Sequence, residues 1–243
     1  MIKAIVTGHS QGLGLALVRA LLQQGVPVLG IARGQANLKE LEEANLLQQV
    51  NLNLAHAPAV LDWLDSGALF RFFEDAHQAL LVNNAGVVSP VGPMSVQSPL
   101  DISNAVSLNV AAPLMMSAAV AQLGPHITDR RILHVSSGAG RSAYPGWSVY
   151  CATKAALDMH AQAAQQDQQA RLRICSLAPG VIDTAMQAQI RQVNKAHFPN
   201  KDRFVQLKER GELASPTSTA QKILAYLLSP EFGSQAVQDI RSM

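Results

Sequence analysis

The chain has 243 residues, of which 48% are hydrophobic and 15% charged, so it can bury a sizeable core and is not expected to be disordered. Its net charge of +2 comes without a basic run, and the sequence therefore gives no support to binding of nucleic acid or of a membrane surface. With only two cysteines, no signal-peptide pattern and no apolar run of membrane-spanning length, we expect a cytoplasmic protein without disulfides.

Short apolar runs alternate with longer helical patterns along the whole chain. Seven runs are predicted strands: Lys3–Thr7, Pro27–Ala32, Gln48–Leu52, Ala79–Asn83, Arg131–Ser136, Leu172–Ala178 and Gln235–Ile240. The predicted helices between them are Leu13–Gln24, Leu38–Leu46, Val60–Glu74, Ser103–Leu123, Tyr150–Gln169 and Thr217–Leu228. Continuous apolar strands that alternate with helices predict an α/β fold in one domain, residues 1–243, with a doubly wound, parallel seven-stranded sheet and helices on both faces.

One segment breaks this alternation. Residues Met186–Ser215 are polar, helical in places, and lie between the sixth strand and the last helix. In a sheet of this type, ligands bind at the carboxyl ends of the strands, and long insertions at that end often cover them. We therefore predict that this segment is a substrate-binding flap.

A glycine-rich turn follows the first strand directly: Thr7-Gly8-His9-Ser10-Gln11-Gly12-Leu13-Gly14. Glycines between a strand and a helix let the backbone approach a pyrophosphate, which the helix N-terminus attracts. The absence of a following Gly-Lys-Ser/Thr excludes a Walker loop. We expect His9 either to touch a bound nucleotide or to cap the helix.

The second predicted strand ends in Ala32-Arg33. A dehydrogenase that prefers NAD usually carries an acid here, whereas an arginine can pair with the 2′-phosphate of NADP. Ala32 supplies no carboxylate and Arg33 supplies a cation, so this strand end predicts NADP(H) as the cofactor.

Tyr150 precedes Lys154 by four residues, and Ser137 lies upstream of both. On a helix Tyr150 and Lys154 share one face. An ammonium near the phenol should lower its pKa from about 10, which would make Tyr150 a proton donor near neutral pH. The hydroxyl of Ser137 could then share the substrate oxygen.

Motifs in this order resemble those of the short-chain dehydrogenase/reductase family over essentially the whole chain. They are Thr7, Gly8, Gly12 and Gly14; Asn83-Asn84-Ala85-Gly86; Asn109; Ser137; Tyr150 with Lys154; and Pro179-Gly180 with Thr184. The resemblance implies a Rossmann-like fold and a catalytic set of Asn109, Ser137, Tyr150 and Lys154, with Asn109 fixing a helix kink. The implied cofactor contacts are Gly8, Ser10, Gln11, Gly12, Leu13, Gly14, Arg33, Asn53, Leu54, Asn83, Ala85, Gly86, Tyr150, Lys154, Pro179, Gly180, Ile182 and Thr184.

Three stretches look like sepiapterin reductases and bacterial benzil-reductase-like proteins: 146–159, 178–187 and 232–239. This implies an NADPH-dependent reductase of ketones or 1,2-dicarbonyl compounds that works as a homodimer or homotetramer. By the same resemblance Asp239 would anchor a pterin-type substrate, although an acid in a last strand could equally be a solvated edge residue. Trp147 and Met186 would line the substrate pocket, and Trp147 could instead pack the loop. Gln11 departs from the basic residue that many NADP-preferring relatives carry in the turn.

Two alternatives stay open on the sequence alone. One is a 3-oxoacyl or other alcohol or ketone oxidoreductase of the same family, and the other is an NADP-binding regulator without turnover. A regulator would not need Ser137, Tyr150 and Lys154. Cys151 lacks an evident paired histidine, and the histidines and carboxylates show no metal-ligand spacing, so we expect neither a thiol nucleophile nor a metal. His134 lies in an apolar strand and is expected to be a core residue.

Overall fold

The computed structural model describes residues 1–38 and 46–243 and contains one parallel sheet. Its strands are β1 Ile2–Thr7, β2 Val28–Ala32, β3 Leu47–Asn51, β4 Gln78–Asn83, β5 Asp129–Val135, β6 Leu172–Ala178 and β7 Val237–Asp239. They are arranged in the order β3-β2-β1-β4-β5-β6-β7, and every neighbouring pair is parallel. The predicted seven-stranded doubly wound sheet is confirmed.

The α-helices of the described residues lie on both faces of the sheet and at its carboxyl edge. They are α1 Gly12–Gln23, α2 Ala57–Asp65, α3 Ala68–Phe72, α4 Pro99–Val106, α5 Ala112–Ala121, α6 Ser148–Gln166, α7 Ala185–Gln192, α8 Lys201–Glu209 and α9 Pro216–Leu228. A π-helical turn, Ser107–Ala111, joins α4 to α5. The predicted helix Leu38–Leu46 lies outside the described residues except for its two ends.

Two predicted helices have different bounds in the structure. The segment Val60–Glu74 is divided between α2 and α3, because Gly67 adopts a left-handed backbone with φ of 74° at the start of α3. The segment Ser103–Leu123 begins earlier, at Pro99, because the Ser98 side chain accepts a hydrogen bond from the backbone of Asp101.

The central strands are mainly apolar because both faces of the sheet are covered, whereas the edge strand β3 carries Gln48, Gln49 and Asn51. Successive residues of a strand point to opposite faces, so neighbours such as Ile5 and Val6 belong to different cores. On one face α1 and α9 pack on the strands through Leu17, Leu21, Ile223 and Leu227. On the other face the core includes Phe73, Met116, Val120 and Leu81.

The segment Pro99–Ala121 qualifies the expectation that no apolar run reaches the length of a membrane span. With a mean hydropathy of 1.4, it is long and apolar enough to span a bilayer by length and composition. The segment does not read as one continuous apolar run in the sequence, because several small polar residues interrupt the apolar ones. Met116 and Val120 are buried against the sheet, so this part of the segment contributes to the core of the domain.

A third apolar cluster lies outside the two cores and fixes the flap. It joins the loops after β4 and β5, the start of α6 and the flap helices α7 and α8. Its buried members are Val88, Ala139, Trp147, Tyr150, Ile190, Phe198 and Phe204. We call these seven residues the flap cluster.

Candidate active site

A cavity of about 710 Å³ lies where the segments after β1 to β6 meet. This is the carboxyl edge of the sheet, where folds of this type bind ligands. The flap and the first turns of α6 complete its wall. Its volume lies in the range of small-molecule and cofactor sites.

Most of the predicted cofactor-binding residues line this cavity. They are Gly8, Ser10, Gln11, Gly12, Leu13, Arg33, Asn53, Leu54, Ala85, Gly86, Tyr150, Lys154, Pro179, Gly180, Ile182 and Thr184. Gly14 and Asn83 do not line it, and both have structural roles instead.

Gly14 holds the glycine-rich turn closed. A Cβ atom at this position would lie 2.1 Å from the carbonyl oxygen of Gly8, so any larger residue would force α1 away from the turn. Asn84 supports the same turn, because its Nδ2 donates to the carbonyl oxygen of Thr7 at 2.9 Å. Asn84 also lines the cavity, and the predicted cofactor set missed it.

The side chain of Asn83 points away from the cavity, so it does not provide the predicted cofactor contact through its amide group. Its Nδ2 lies 3.2 Å from Ser117 Oγ and 3.1 Å from His134 Nδ1, inside the core beneath α5. Asn83 is the last residue of β4, and its side chain lies on the face of the sheet that α5 covers. Burial lowers the pKa of His134 to about 3, so this histidine is a neutral core residue, as its apolar strand indicated.

His9 does not line the cavity, and it does not cap α1. The N-cap residue is Gln11, with no side-chain cap, and His9 is 0% exposed. Its Nε2 lies 2.6 Å from Gln49 Oε1 on the neighbouring part of the sheet. Both roles expected for His9 are therefore wrong.

Tyr150 and Ser137 meet inside the cavity. Tyr150 lies in the first turn of α6, and Ser137 follows β5. The backbone N–H of Ala139 donates to Ser137 Oγ at 3.1 Å, which leaves the serine proton for another acceptor. Burial raises the pKa of Tyr150 to about 12, and a hydrogen bond with Ser137 opposes that rise.

Lys154 lies one helical turn beyond Tyr150, with its Nζ 5.7 Å from the centre of the tyrosine ring. This Nζ donates to the carbonyl oxygen of Val135 at 2.7 Å. Burial lowers the pKa of Lys154 to about 8, and the charge of Asp158 opposes the change. The net change in the pKa of Tyr150 is a rise and not the expected fall, because burial of the phenol outweighs the opposing hydrogen bond with Ser137.

Asn109 connects the helix that precedes β5 to the helix that carries Tyr150. It lies in the π-helical turn, where the helix is locally widened. Its Oδ1 accepts from Val87 N at 2.9 Å, and its Nδ2 donates to Val87 O at 2.8 Å and to Thr153 Oγ1 at 3.2 Å. Asn109 thereby fixes the loop after β4 against α6.

One end of the cavity is lined by aromatic residues, among them Tyr144, Trp147 and Phe204. Trp147 and Met186 both line it, and Trp147 is 4% exposed. The ring of Trp147 stacks on Phe198 with centroids 4.4 Å apart and an interplanar angle of 19°. Trp147 therefore packs the loop and also lines the cavity; its contact with a substrate stays a prediction. No pattern in the sequence pointed to Phe198, because it is an isolated aromatic residue in a polar segment.

Asp239 is held by its own chain and does not line the cavity. Its carboxylate accepts from Arg241 Nε at 2.8 Å and from Arg241 Nη2 at 2.6 Å. These hydrogen bonds hold the pKa of Asp239 below its usual range. Arg241 lines the cavity instead, so a cation stands where the sequence suggested an acid. The turn Ile240–Ser242, which brings Arg241 back onto Asp239, produces this difference.

The cavity wall bears cations and no acid among the described residues. Arg33, Lys154, Arg203 and Arg241 line it, and no aspartate or glutamate does so within residues 1–38 and 46–243. The turn with its free backbone N–H groups and this charge balance suit a ligand with phosphate groups.

Comparison with known proteins places the chain in a family. The family described as short chain dehydrogenase matches residues 3–195. A benzil reductase ((S)-benzoin forming) from Bacillus cereus is 36% identical over 242 residues, with 94% of each chain covered. A sepiapterin reductase from Meriones unguiculatus is 32% identical over 250 residues, covering 97% of this chain and 94% of its own. The crystal structure of a short-chain dehydrogenase/reductase from Burkholderia vietnamiensis is 43% identical with a TM-score of 0.72, covering 100% and 98% of the two chains. The chain therefore belongs to the short-chain dehydrogenase family of nicotinamide-dependent oxidoreductases.

Proposed function

We propose that the protein is an NADPH-dependent carbonyl reductase of ketones and 1,2-dicarbonyl compounds, with Asn109, Ser137, Tyr150 and Lys154 as its catalytic set. The observation that carries this proposal is that Ser137, Tyr150 and Lys154 line the same cavity as the glycine-rich turn, with Lys154 Nζ 5.7 Å from the centre of the Tyr150 ring. The near full-length similarity to a benzil reductase and a sepiapterin reductase supports the substrate class.

The preference for NADPH is supported by the end of β2. The side chain of Arg33 is exposed at the cavity, and it makes no ion pair with any carboxylate of the described residues. Ala32 beside it offers no charge that would repel a 2′-phosphate. The cofactor would be held by the glycine-rich turn at its pyrophosphate, by Arg33 at the 2′-phosphate, and by Lys154 and Thr184 towards the nicotinamide.

The bound reduced nicotinamide would supply the hydride for the carbonyl carbon. Tyr150 would give its proton to the carbonyl oxygen, and with a pKa of about 12 the phenol holds that proton throughout the neutral range. Ser137 would donate its remaining hydroxyl proton to the same oxygen and stabilise the developing negative charge. The positive charge of Lys154 would offset the charge left on Tyr150 after it gives up the proton.

Asn109 would act on the chemistry by position. Its hydrogen bonds fix Val87 and Thr153, and Thr153 Oγ1 in turn donates to the carbonyl oxygen of Tyr150 at 2.9 Å. The ring of Tyr150 is also held from the other side by Trp147, with centroids 5.3 Å apart. These contacts set the position of the phenol before any substrate arrives.

The proposal is tested with purified protein, NADPH and a panel of carbonyl compounds. The panel contains benzil, 1-phenyl-1,2-propanedione, a simple aryl ketone and a 3-oxoacyl thioester, and loss of nicotinamide absorbance is the signal. We expect the two diketones to be turned over fastest. A preference for the thioester would favour the 3-oxoacyl alternative. Tight NADPH binding without turnover of any compound would favour the regulator.

We also propose a cytoplasmic homo-oligomer. Leu100 on α4 and Met159 on α6 are 69% and 62% exposed, which is unusual for large apolar residues and suits contact with a second copy. The double variant Leu100→Glu, Met159→Glu should sediment as a monomer at concentrations where the unmodified chain does not. A monomeric unmodified chain would contradict this proposal.

A further inference from the structure

We propose that His9 is a positioning residue that strengthens the preference for a 2′-phosphorylated cofactor by holding, through Gln49, the segment that carries Arg33. The inference rests on the NADPH preference proposed above. It gives a function to a buried polar residue that neither touches the cavity nor caps a helix.

The ring of His9 occupies a space that Gly30 leaves open on β2. A Cβ atom at Gly30 would lie 2.5 Å from two carbon atoms of the ring, which is too close for any side chain there. Gly30 pairs with Gln49 in the register of β2 and β3. Because the ring lies over Gly30, its Nε2 reaches the side chain of Gln49 directly across the strand pair.

Gln49 has its amide orientation fixed by the backbone of Ala36. The N–H of Ala36 donates to Gln49 Oε1 at 2.7 Å, and Gln49 Nε2 donates to the carbonyl oxygen of Ala36 at 3.0 Å. If the amide were flipped, its NH2 group would face the N–H of Ala36 and its oxygen would face the carbonyl oxygen of Ala36, and neither pair could form a hydrogen bond. His9 therefore faces an oxygen at 2.6 Å and must donate to it from Nε2.

Ala36 is the second anchor of a short exposed strap. Ala32 is buried at the end of β2, Ala36 is buried again, and the residues between them, Arg33, Gly34 and Gln35, are exposed. The sheet holds the strap at Ala32, and Gln49 holds it at Ala36. Arg33 thus lies on a segment fixed at both ends, and His9 ties the second anchor to the glycine-rich turn.

This arrangement predicts an effect that depends on the 2′-phosphate. A cation held in place binds a phosphate more tightly than one whose backbone must first be ordered. NADH lacks the group that Arg33 would bind, so loosening the strap should weaken NADPH binding far more than NADH binding. A purely structural role of His9 would affect both cofactors to a similar degree.

The test measures Kd for NADPH and for NADH by nicotinamide fluorescence, without turnover. His9→Phe keeps a ring over Gly30 and removes the donor, whereas His9→Gln keeps an N–H donor at a similar reach. We expect His9→Phe to raise Kd for NADPH about five-fold, the effect of losing one hydrogen bond, with Kd for NADH nearly unchanged. His9→Gln should restore most of the NADPH affinity. Equal changes for both cofactors would overturn the proposal.

Two further variants keep the test decisive. Gly30→Ala expels the ring without touching His9 and should reproduce the loss of discrimination. If His9 acts through Arg33, adding His9→Phe to the Arg33→Ala variant should not raise Kd for NADPH further. If the two residues act independently, their losses of binding free energy for NADPH should add. An unmodified protein that binds both cofactors equally would refute the NADPH preference, while a selective protein with an unresponsive His9→Phe variant would refute only the role of His9.

Discussion

The two ends of the cavity are built in different ways. At the cofactor end, backbone groups and short polar side chains are held by hydrogen bonds between neighbouring strand ends, as at Thr7 and Asn84. At the other end, which we propose to be the substrate end, Trp147 and Tyr150 line the wall in an edge-on pair, and Phe198 of the flap stacks on the ring of Trp147. The cofactor end therefore depends on backbone geometry, and the substrate end depends on side-chain packing.

This difference separates what each end can tolerate. At the cofactor end, hydrogen bonds between fixed backbone groups hold the geometry in place. Few substitutions there would keep the binding of the same large cofactor. Apolar packing between rings tolerates substitutions of similar volume and can change its shape by small rearrangements. Diversity of substrates on one cofactor-binding frame is the expected result.

The largest effect should come from a change that alters neither end. Tyr150→Phe removes the proton donor and keeps the ring against Trp147, so kcat for reduction should fall about a thousand-fold. Kd for NADPH, measured by fluorescence, and the melting temperature should stay close to their original values. Turnover near the original rate in this variant would contradict the proposed mechanism.

A change confined to the cofactor end should come next. Arg33→Ala removes a cation from the cavity wall, and Kd for NADPH should rise about 10- to 100-fold because hydrogen bonds to charged groups contribute about 1.5–3 kcal/mol. Kd for NADH and KM for the diketone should change little. Arg71→Ala, which removes an arginine outside the cavity, is the matched control.

The pH dependence of kcat/KM tests the role of Lys154, which lies between the two ends of the cavity. Lys154, with a pKa of about 8, is protonated below that pH and can offset the negative charge left on Tyr150. Above that pH Lys154 loses its positive charge. Tyr150, with a pKa of about 12, stays protonated in both ranges. We expect kcat/KM for reduction to fall about ten-fold per pH unit above the pKa of Lys154. Lys154→Arg should remove that alkaline limb, since arginine stays protonated. A profile that is flat from pH 7 to about 10 would contradict the role of Lys154.

A change confined to the substrate end should have the smallest effect on turnover. Phe198→Ala removes the ring stacked on Trp147, so KM for the diketone should rise about ten-fold, and the free energy of unfolding should fall by about 3 kcal/mol, as for other buried phenylalanines. Kd for NADPH should not change. Phe70→Ala, at a ring that is 43% exposed, should leave all three quantities unaltered. A large loss of NADPH affinity in Phe198→Ala would erase the distinction between the two ends.

The sequence predicted most of the fold and the residues whose roles depend on local spacing. Gly8 and Gly12 follow a strand, and Tyr150 and Lys154 share a helix face, so neighbouring residues alone place them. The alternation of apolar runs and helices also predicted the sheet, because its central strands are covered on both faces.

The misses involve contacts between distant residues. His9 meets Gln49 only because Gly30 lies under its ring, and Phe198 meets Trp147 only once the flap has folded back. Asp239 is neutralised by Arg241 through a terminal turn that no periodic pattern signals. The pKa of Tyr150 also escaped prediction, because burial is a property of the whole fold.

The π-helical turn at Ser107–Ala111 has a consequence for how the loop after β4 is held. The widened turn presents the side chain of Asn109 to Val87 and Thr153, while Met116 and Val120 of α5 remain packed on the sheet. Removing one residue from the turn would restore an ordinary α-helix and disconnect Asn109 from Val87, so the loop after β4 would lose its tie to α6.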